Sequence, residues 1–164
     1  MTYLLDANVF ITAKNVHYGL DFVPAFWDWI DAGTTAGVLF SIAPIKRELD
    51  AGSDELSAWA NARKSLFVEV DAATAPSFVA LTAWVTSSEY TPAAKSTFLG
   101  NADYQIVAYA HAHNCVVVTH EKPEPNSYKK IKIPDACNAF GVSYVTPFQM
   151  LRAENAKFVL PRTS

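Results

Sequence analysis

Five acids mark where this sequence could do chemistry. Asp6 ends the apolar run TYLLD, Glu48 lies in APIKRELDAG, Asp103 in NADYQIVAYA, Glu121 in CVVVTHE and Asp135 in KIPDAC. Carboxylates gathered in one crevice repel one another unless a cation neutralises them. A donor set made only of oxygen suits Mg2+ or Mn2+ and disfavours zinc. The four histidines, His17, His111, His113 and His120, form no HExxH or other zinc spacing, and only His120 falls near the acids. Taken singly, each acid has a plainer reading. Asp6 could be a turn former or helix N-cap, Asp103 a first-turn charge on a helix dipole, Asp135 a helix start after Pro134, and Glu48 and Glu121 solvated side chains. Their convergence depends on the elements that carry them.

Those elements alternate. YLLDA, VLFSI (38–42), LFVEV (66–70), CVVVT (115–119) and VSYV (142–145) read as strands. None alternates strictly, as befits strands of a parallel sheet covered on both faces. Helix patterns fall between them. In DFVPAFWDWIDAG, Asp21 is the expected N-cap, Phe22, Phe26 and Ile30 the apolar stripe and Gly33 the stop. APIKRELDAG, SDELSAWANARK, TAPSFVALTAWVTSS, NADYQIVAYAHAHN and TPFQMLRAENA read as further helices, and Asp135 is expected to open a short one. The sum is an α/β fold, a central parallel sheet of four to five strands flanked by helices with right-handed crossovers. In such folds ligands gather outside the carboxyl ends of the strands. Asp6, Thr119 and Glu121 sit at two of those ends. Glu48 follows Pro44 by about one helical turn, anchored by Ile45 and Leu49, and Asp103 opens a helix whose buried stripe is Ile106, Val107 and Ala110.

Composition sets limits on the rest. The 164 residues are 51% hydrophobic, enough for one domain, read as 1–160 with a short tail at 161–164. Against 16 Asp and Glu stand 13 Lys and Arg, so no overall basic field advertises nucleic acid or an anionic membrane. No apolar run approaches the roughly 20 residues that span a bilayer. No signal-like segment precedes the first strand, so a soluble, cytoplasmic protein is expected. Cys115 and Cys137 lack CxxC spacing and read as small buried apolar residues.

LLDANVF, the SIAPIKRELDAG helix, NADYQIVAYA and VVVTHE together resemble the four successive acid motifs of PIN-domain metal-dependent ribonucleases. The likeness is nearest to the DUF4411 branch, with DxNxFI at the start, FWDWI in the first helix and KIPD near the end. It covers essentially the whole chain. The resemblance implies a three-layer fold and one or two Mg2+ or Mn2+ ions held by Asp6, Glu48, Asp103 and either Glu121 or Asp135. Asn8 matches the polar residue that often follows the first acid, and Thr119 belongs to the T-x-D pattern, in which this chain carries Glu121 instead. The implied reaction is in-line hydrolysis of an RNA phosphodiester that leaves a 5′-phosphate. A homodimer is implied too, as is the role of toxin held inactive by an antitoxin protein.

Lys122, Lys129, Lys130 and Lys132 cluster in EKPEPNSYKKIKIP, a long loop with three prolines that reads as a lid over the strand tips. Lys129, Lys130 and Lys132 are the candidate contacts to RNA phosphates, and Tyr128 a candidate stacking partner for a base of a single-stranded substrate. Trp27, Trp29, Trp59 and Trp84 read as core or dimer packing, with Phe26, Trp29 and Ile30 as a self-association patch. Two other classes of function compete. A non-catalytic metal- or partner-binding module is favoured if Glu121 spoils the geometry that activates water. A phosphatase of the haloacid-dehalogenase type wants a second Asp where Asn8 stands, and would cleave p-nitrophenyl phosphate.

Overall fold

The computed structural model describes residues 1–162. The tail expected at 161–164 therefore lies partly outside the described residues. Five strands, β1 (Tyr3–Leu5), β2 (Leu39–Ile42), β3 (Phe67–Val68), β4 (Val116–Val118) and β5 (Tyr144–Val145), form one sheet in the order β3-β2-β1-β4-β5. Every pair is parallel, with Leu4 opposite Phe40 on one side and Val117 on the other. All six residues of β1 and β4 are buried. Because successive side chains of a strand point to opposite faces, that pattern requires cover on both sides of the sheet. Apolar runs without alternation predict this cover, and the helices supply it.

Strand order reverses at β1, which pairs with β2 on one edge and, after the chain has passed out to β3 and back, with β4 on the other. The crevice beyond the carboxyl ends of β1 and β4 is thus the switch point where an α/β sheet binds ligands. A buried hydroxyl helps hold it: Ser41 on β2 donates to the Leu5 carbonyl at 2.7 Å.

Nine α-helices lie among the described residues: α1 (Ala7–Thr12), α2 (Pro24–Thr35), α3 (Ala43–Asp50), α4 (Glu55–Asn61), α5 (Ala75–Ser87), α6 (Pro92–Leu99), α7 (Ala102–His113), α8 (Ile133–Phe140) and α9 (Pro147–Ala153). Two of them, α1 and α6, escape the sequence pattern. The first follows β1 after a single residue and continues as a π turn over Ala13–His17, so the strand's apolar run masks its start. The second is short, but Thr91 caps it through the Ala94 N–H and Pro92 fills its first turn.

The start and end of α2 differ from expectation. Val23 rather than Asp21 precedes the first turn, because Pro24 suits the first helical position, where no N–H is needed. Phe22 consequently lies outside the helix and is 68% exposed. Gly33 does not stop the helix; a Cβ there would stand 2.5 Å from Leu39 Cδ1, so glycine allows α2 to lie against β2. Phe26 and Ile30 are fully spent in the protein's own core, which leaves only the half-buried Trp29 of the expected association patch.

Candidate metal centre

Asp6 is the helix N-cap of its plain reading, and it also faces the crevice. It caps α1, accepting the Ala7 N–H on Oδ1 at 2.8 Å, and its other oxygen accepts the Thr119 hydroxyl at 2.9 Å. The side chain is only 4% exposed. Its surroundings are fixed by a chain of donors that starts at the backbone. The His120 N–H donates to Asn8 Oδ1 at 3.1 Å, which sets the amide so that Nδ2 donates to Thr119 Oγ1 at 3.2 Å. The Glu121 N–H donates to the same oxygen at 3.1 Å. With both its lone pairs engaged, Thr119 must give its own proton to Asp6. The tips of β1 and β4 are thereby locked around an acid that is asked only to accept.

The remaining acids reach the crevice from three elements. Pro44 starts α3 and buried Ile45 and Leu49 pin it, leaving Glu48 on the rim. Asn101 caps α7 by accepting the Asp103 N–H at 2.8 Å, and buried Ile106, Val107 and Ala110 fix that helix so that Asp103 faces inward. Glu121 follows β4. Together with Asn8, Ile11, Thr97, Asn101 and Lys130, these four acids line a cavity of about 350 Å³. Ile11 and Thr97 had no sequence signal as site residues, since α1 and α6 were not legible; Asn101 was passed over although an Asn just ahead of a helix start is a cap signal.

Electrostatics show that the four acids share one field. Burial, and next the Asp103 charge, push the Asp6 carboxyl up to about 7 against the pull of its two hydrogen bonds. Burial, then Glu121 and Glu48, push Asp103 up to about 6, opposed by Lys130 and Lys132. Partial desolvation raises Glu48. The buried Cys137 thiol is pushed up to about 12 by burial and then by the charges of Glu121 and Asp6, so it remains a thiol. Acids held this far from their ordinary range in a cleft point to a functional site.

The crevice is not a finished cage. Among the described residues, no three acids are gathered tightly enough to surround an ion as they stand. Glu121 accounts for part of this: its Oε2 accepts the Ile133 N–H at 2.8 Å, and its Oε1 lies 3.7 Å from Lys130 Nζ. Asp135 does not line the crevice. Its Oδ2 accepts the Glu124 N–H at 2.9 Å, so it braces the returning loop, and of the two candidates for the fourth position only Glu121 faces the other acids. Lys130 alone of the three candidate lysines lines the crevice. Lys129 lines an adjoining cavity, and Lys132 lies 3.8 Å from Glu124. The ring of His120 stays beside the site, 6.2 Å from that of His17 and 5.8 Å from that of Phe148, while Tyr128 meets Tyr90.

Thr119→Val keeps the shape of this residue and removes its proton. Loss of the donor to Asp6 is expected to weaken Mn2+ binding about 10-fold, the lower end of what outer-shell partners contribute, in a calorimetric titration. Unchanged affinity would mean that Asp6 is not oriented by this network.

The parallel five-stranded sheet flanked by helices, with acids lining the crevice at its switch point, is an α/β fold of PIN-like type. Within it, the chain belongs to the family described as "Domain of unknown function (DUF4411)", whose sequence profile matches residues 3–158. Solved structures agree on the fold. VapBC2 from Rickettsia felis, crystallised bound to a DNA fragment from its promoter, is 15% identical over 89% of this chain and 98% of that one, with a TM-score of 0.57. FitAcB from Neisseria gonorrhoeae is 17% identical over 90% of this chain and 99% of that one, with a TM-score of 0.54. FitAB bound to an IR36 DNA fragment is 16% identical over 90% and 96%, also at 0.54. No functionally curated protein matches the chain. Among the described residues, no helix is long and apolar enough to cross a membrane.

Proposed function

We propose that this protein is a metal-dependent endoribonuclease that hydrolyses RNA phosphodiester bonds. The observation that carries the reading is Asp6: a carboxylate almost wholly buried at the switch point, held only by donors and facing three further acids. When ionised, such a group calls for a neutralising cation. The donor set, carboxylates without an accompanying cysteine or imidazole, fits one or two Mg2+ or Mn2+ ions, held by Asp6, Glu48 and Asp103 with Glu121 as the fourth acid. A bound ion supplies acidification of a water and neutralisation of charge on the phosphate.

The chain's own residues do the rest. Thr119 and Asn8 hold Asp6 in its accepting state; Asp103, braced by Asn101, presents its carboxylate from the start of α7. Lys130 stands where a substrate phosphate would meet the acids, and Lys129, next to it in the loop, lines the adjoining cavity. Likeness in fold to components of VapBC2 and FitAB supports a place in a toxin–antitoxin pair, as a toxin restrained by an antitoxin; the homodimer and the cytoplasmic address rest on the family resemblance alone. One observation favours a second reading, a PIN-like module that binds a metal or partner and cuts nothing: Glu121 is already engaged by Ile133 and Lys130.

Cleavage of a labelled single-stranded RNA pool separates the two. The nuclease reading expects products in Mg2+ or Mn2+ and none in EDTA. Metal binding by calorimetry without cleavage of any RNA would leave the module.

A further inference from the structure

Beside the acidic crevice lies a second cavity, of about 210 Å³, between α6 and the lysine-bearing loop. The two are not independent, since Thr97, Asn101, Asp103 and Lys130 line both. Their linings differ in kind. Where the crevice is acidic, the second cavity is floored by Ala94, Phe98 and Ile131, with the exposed Ala93 at its rim and Lys129 at its side. Phe98 and Ile131 are only 2% exposed and belong to the packed core, so the floor is rigid. Two alanines in succession at the start of α6 leave the space open. A cavity with an apolar floor, lysines at one side and a carboxylate crevice at the other offers separate surfaces to a ring, a phosphate and a metal-bound phosphate.

Resting on the ribonuclease reading, we propose that this cavity receives one nucleobase of single-stranded RNA, that of a nucleotide next to the phosphate held in the crevice. Charge complementarity argues for the occupant. The apolar floor takes the ring, Lys129 and Lys130 lie where the attached phosphates must pass, and the acids lie one step further along. A volume of about 210 Å³ is of the size of a single planar ring system. Polar recognition is available at the rim. Asn101 spends its Oδ1 on the Asp103 N–H, and its Nδ2 has no protein partner among the described residues, so it can donate to a carbonyl or ring nitrogen of the base.

The test uses a short single-stranded RNA in Ca2+, which neutralises the acids while suppressing cleavage and so separates binding from cleavage, and the exposed Ala93 as the site of change. Ala93→Trp fills the cavity from its rim and replaces no acid. It is expected to weaken RNA binding about tenfold, the effect of losing one base contact, while Mn2+ affinity measured by calorimetry stays at the wild-type value. Removing the base at one position of the RNA should cost the wild type the same factor and cost the Ala93→Trp protein nothing further. Base removal without effect at every position, or losses from the two changes that simply multiply, would overturn the cavity assignment while leaving a nuclease. Failure of the wild type to bind any RNA would overturn both.

Discussion

Asp6→Asn is expected to abolish RNA cleavage and, in the same tube, to make the metal-free protein more stable at pH 8. The first effect follows from removing the one acid that every other part of the site orients; loss of several kcal/mol of metal-dependent stabilisation corresponds to a rate reduction on the order of 10³-fold or more. The second follows from the energetics of the empty crevice. A carboxyl raised from 3.8 to about 7 by burial costs on the order of 4 kcal/mol when ionised in the folded chain. Asn removes that cost. It also loses something, because the Ala7 N–H and the Thr119 hydroxyl both point at residue 6 and an amide has only one oxygen for them. One unsatisfied donor costs about 1–3 kcal/mol, so the net gain is smaller than the charge alone suggests but keeps its sign. Near pH 5 wild-type Asp6 is protonated and itself has one accepting oxygen, so the advantage should vanish. Urea denaturation of both proteins at pH 5 and pH 8 in EDTA, beside an RNA cleavage assay in Mn2+, reads both effects. An active mutant, or one destabilised equally at both pH values, would mean that Asp6 is a structural cap and nothing more.

The parts of this site that the sequence disclosed are those whose position depends on short-range pattern. Asp6 ends an uninterrupted apolar strand, Glu48 sits one turn past Pro44, and Asp103 opens a long helix with a clear buried stripe; each placement needs only a few neighbours. Glu121 and Asp135 could not be separated, because the loop between β4 and α8 has no period from which its path can be read. Its return is set by bonds that no pattern encodes, from the Ile133 N–H to Glu121 and from the Glu124 N–H to Asp135. Phe22 illustrates the same limit in another way. Its spacing to Phe26 and Ile30 is helical, but Pro24 decides where the helix begins, and a fixed proline ring outweighs one apolar side chain. The base cavity was invisible because it belongs to α6, a short helix of modest apolar content, and to a loop that meets it only in space.

Wild-type protein in EDTA is expected to lose stability as pH rises from about 4 to 8, and Mn2+ is expected to restore it. Asp6 and Asp103 are both raised in the fold, to about 7 and about 6, above their ordinary 3.8. Between the unfolded and folded values the native chain binds the extra protons, so their contribution is whole below pH 4 and is lost as pH climbs through 6 and 7. Most proteins with salt-bridged acids behave in the opposite sense over this range, which makes the direction diagnostic. The Asp103 charge raises Asp6, and the two are pushed up to different values, so the decline should be spread across the window rather than break at one pH. A divalent ion replaces the proton as the neutralising charge. At a concentration 100 times its dissociation constant it adds about 2.7 kcal/mol, and because it binds the ionised acids its effect should grow with pH. Denaturation midpoints from pH 4 to 8, with and without Mn2+, give the result. A flat profile in EDTA would mean that water or neighbouring lysines already neutralise these acids. An Mn2+ effect independent of pH would place the ion away from Asp6 and Asp103.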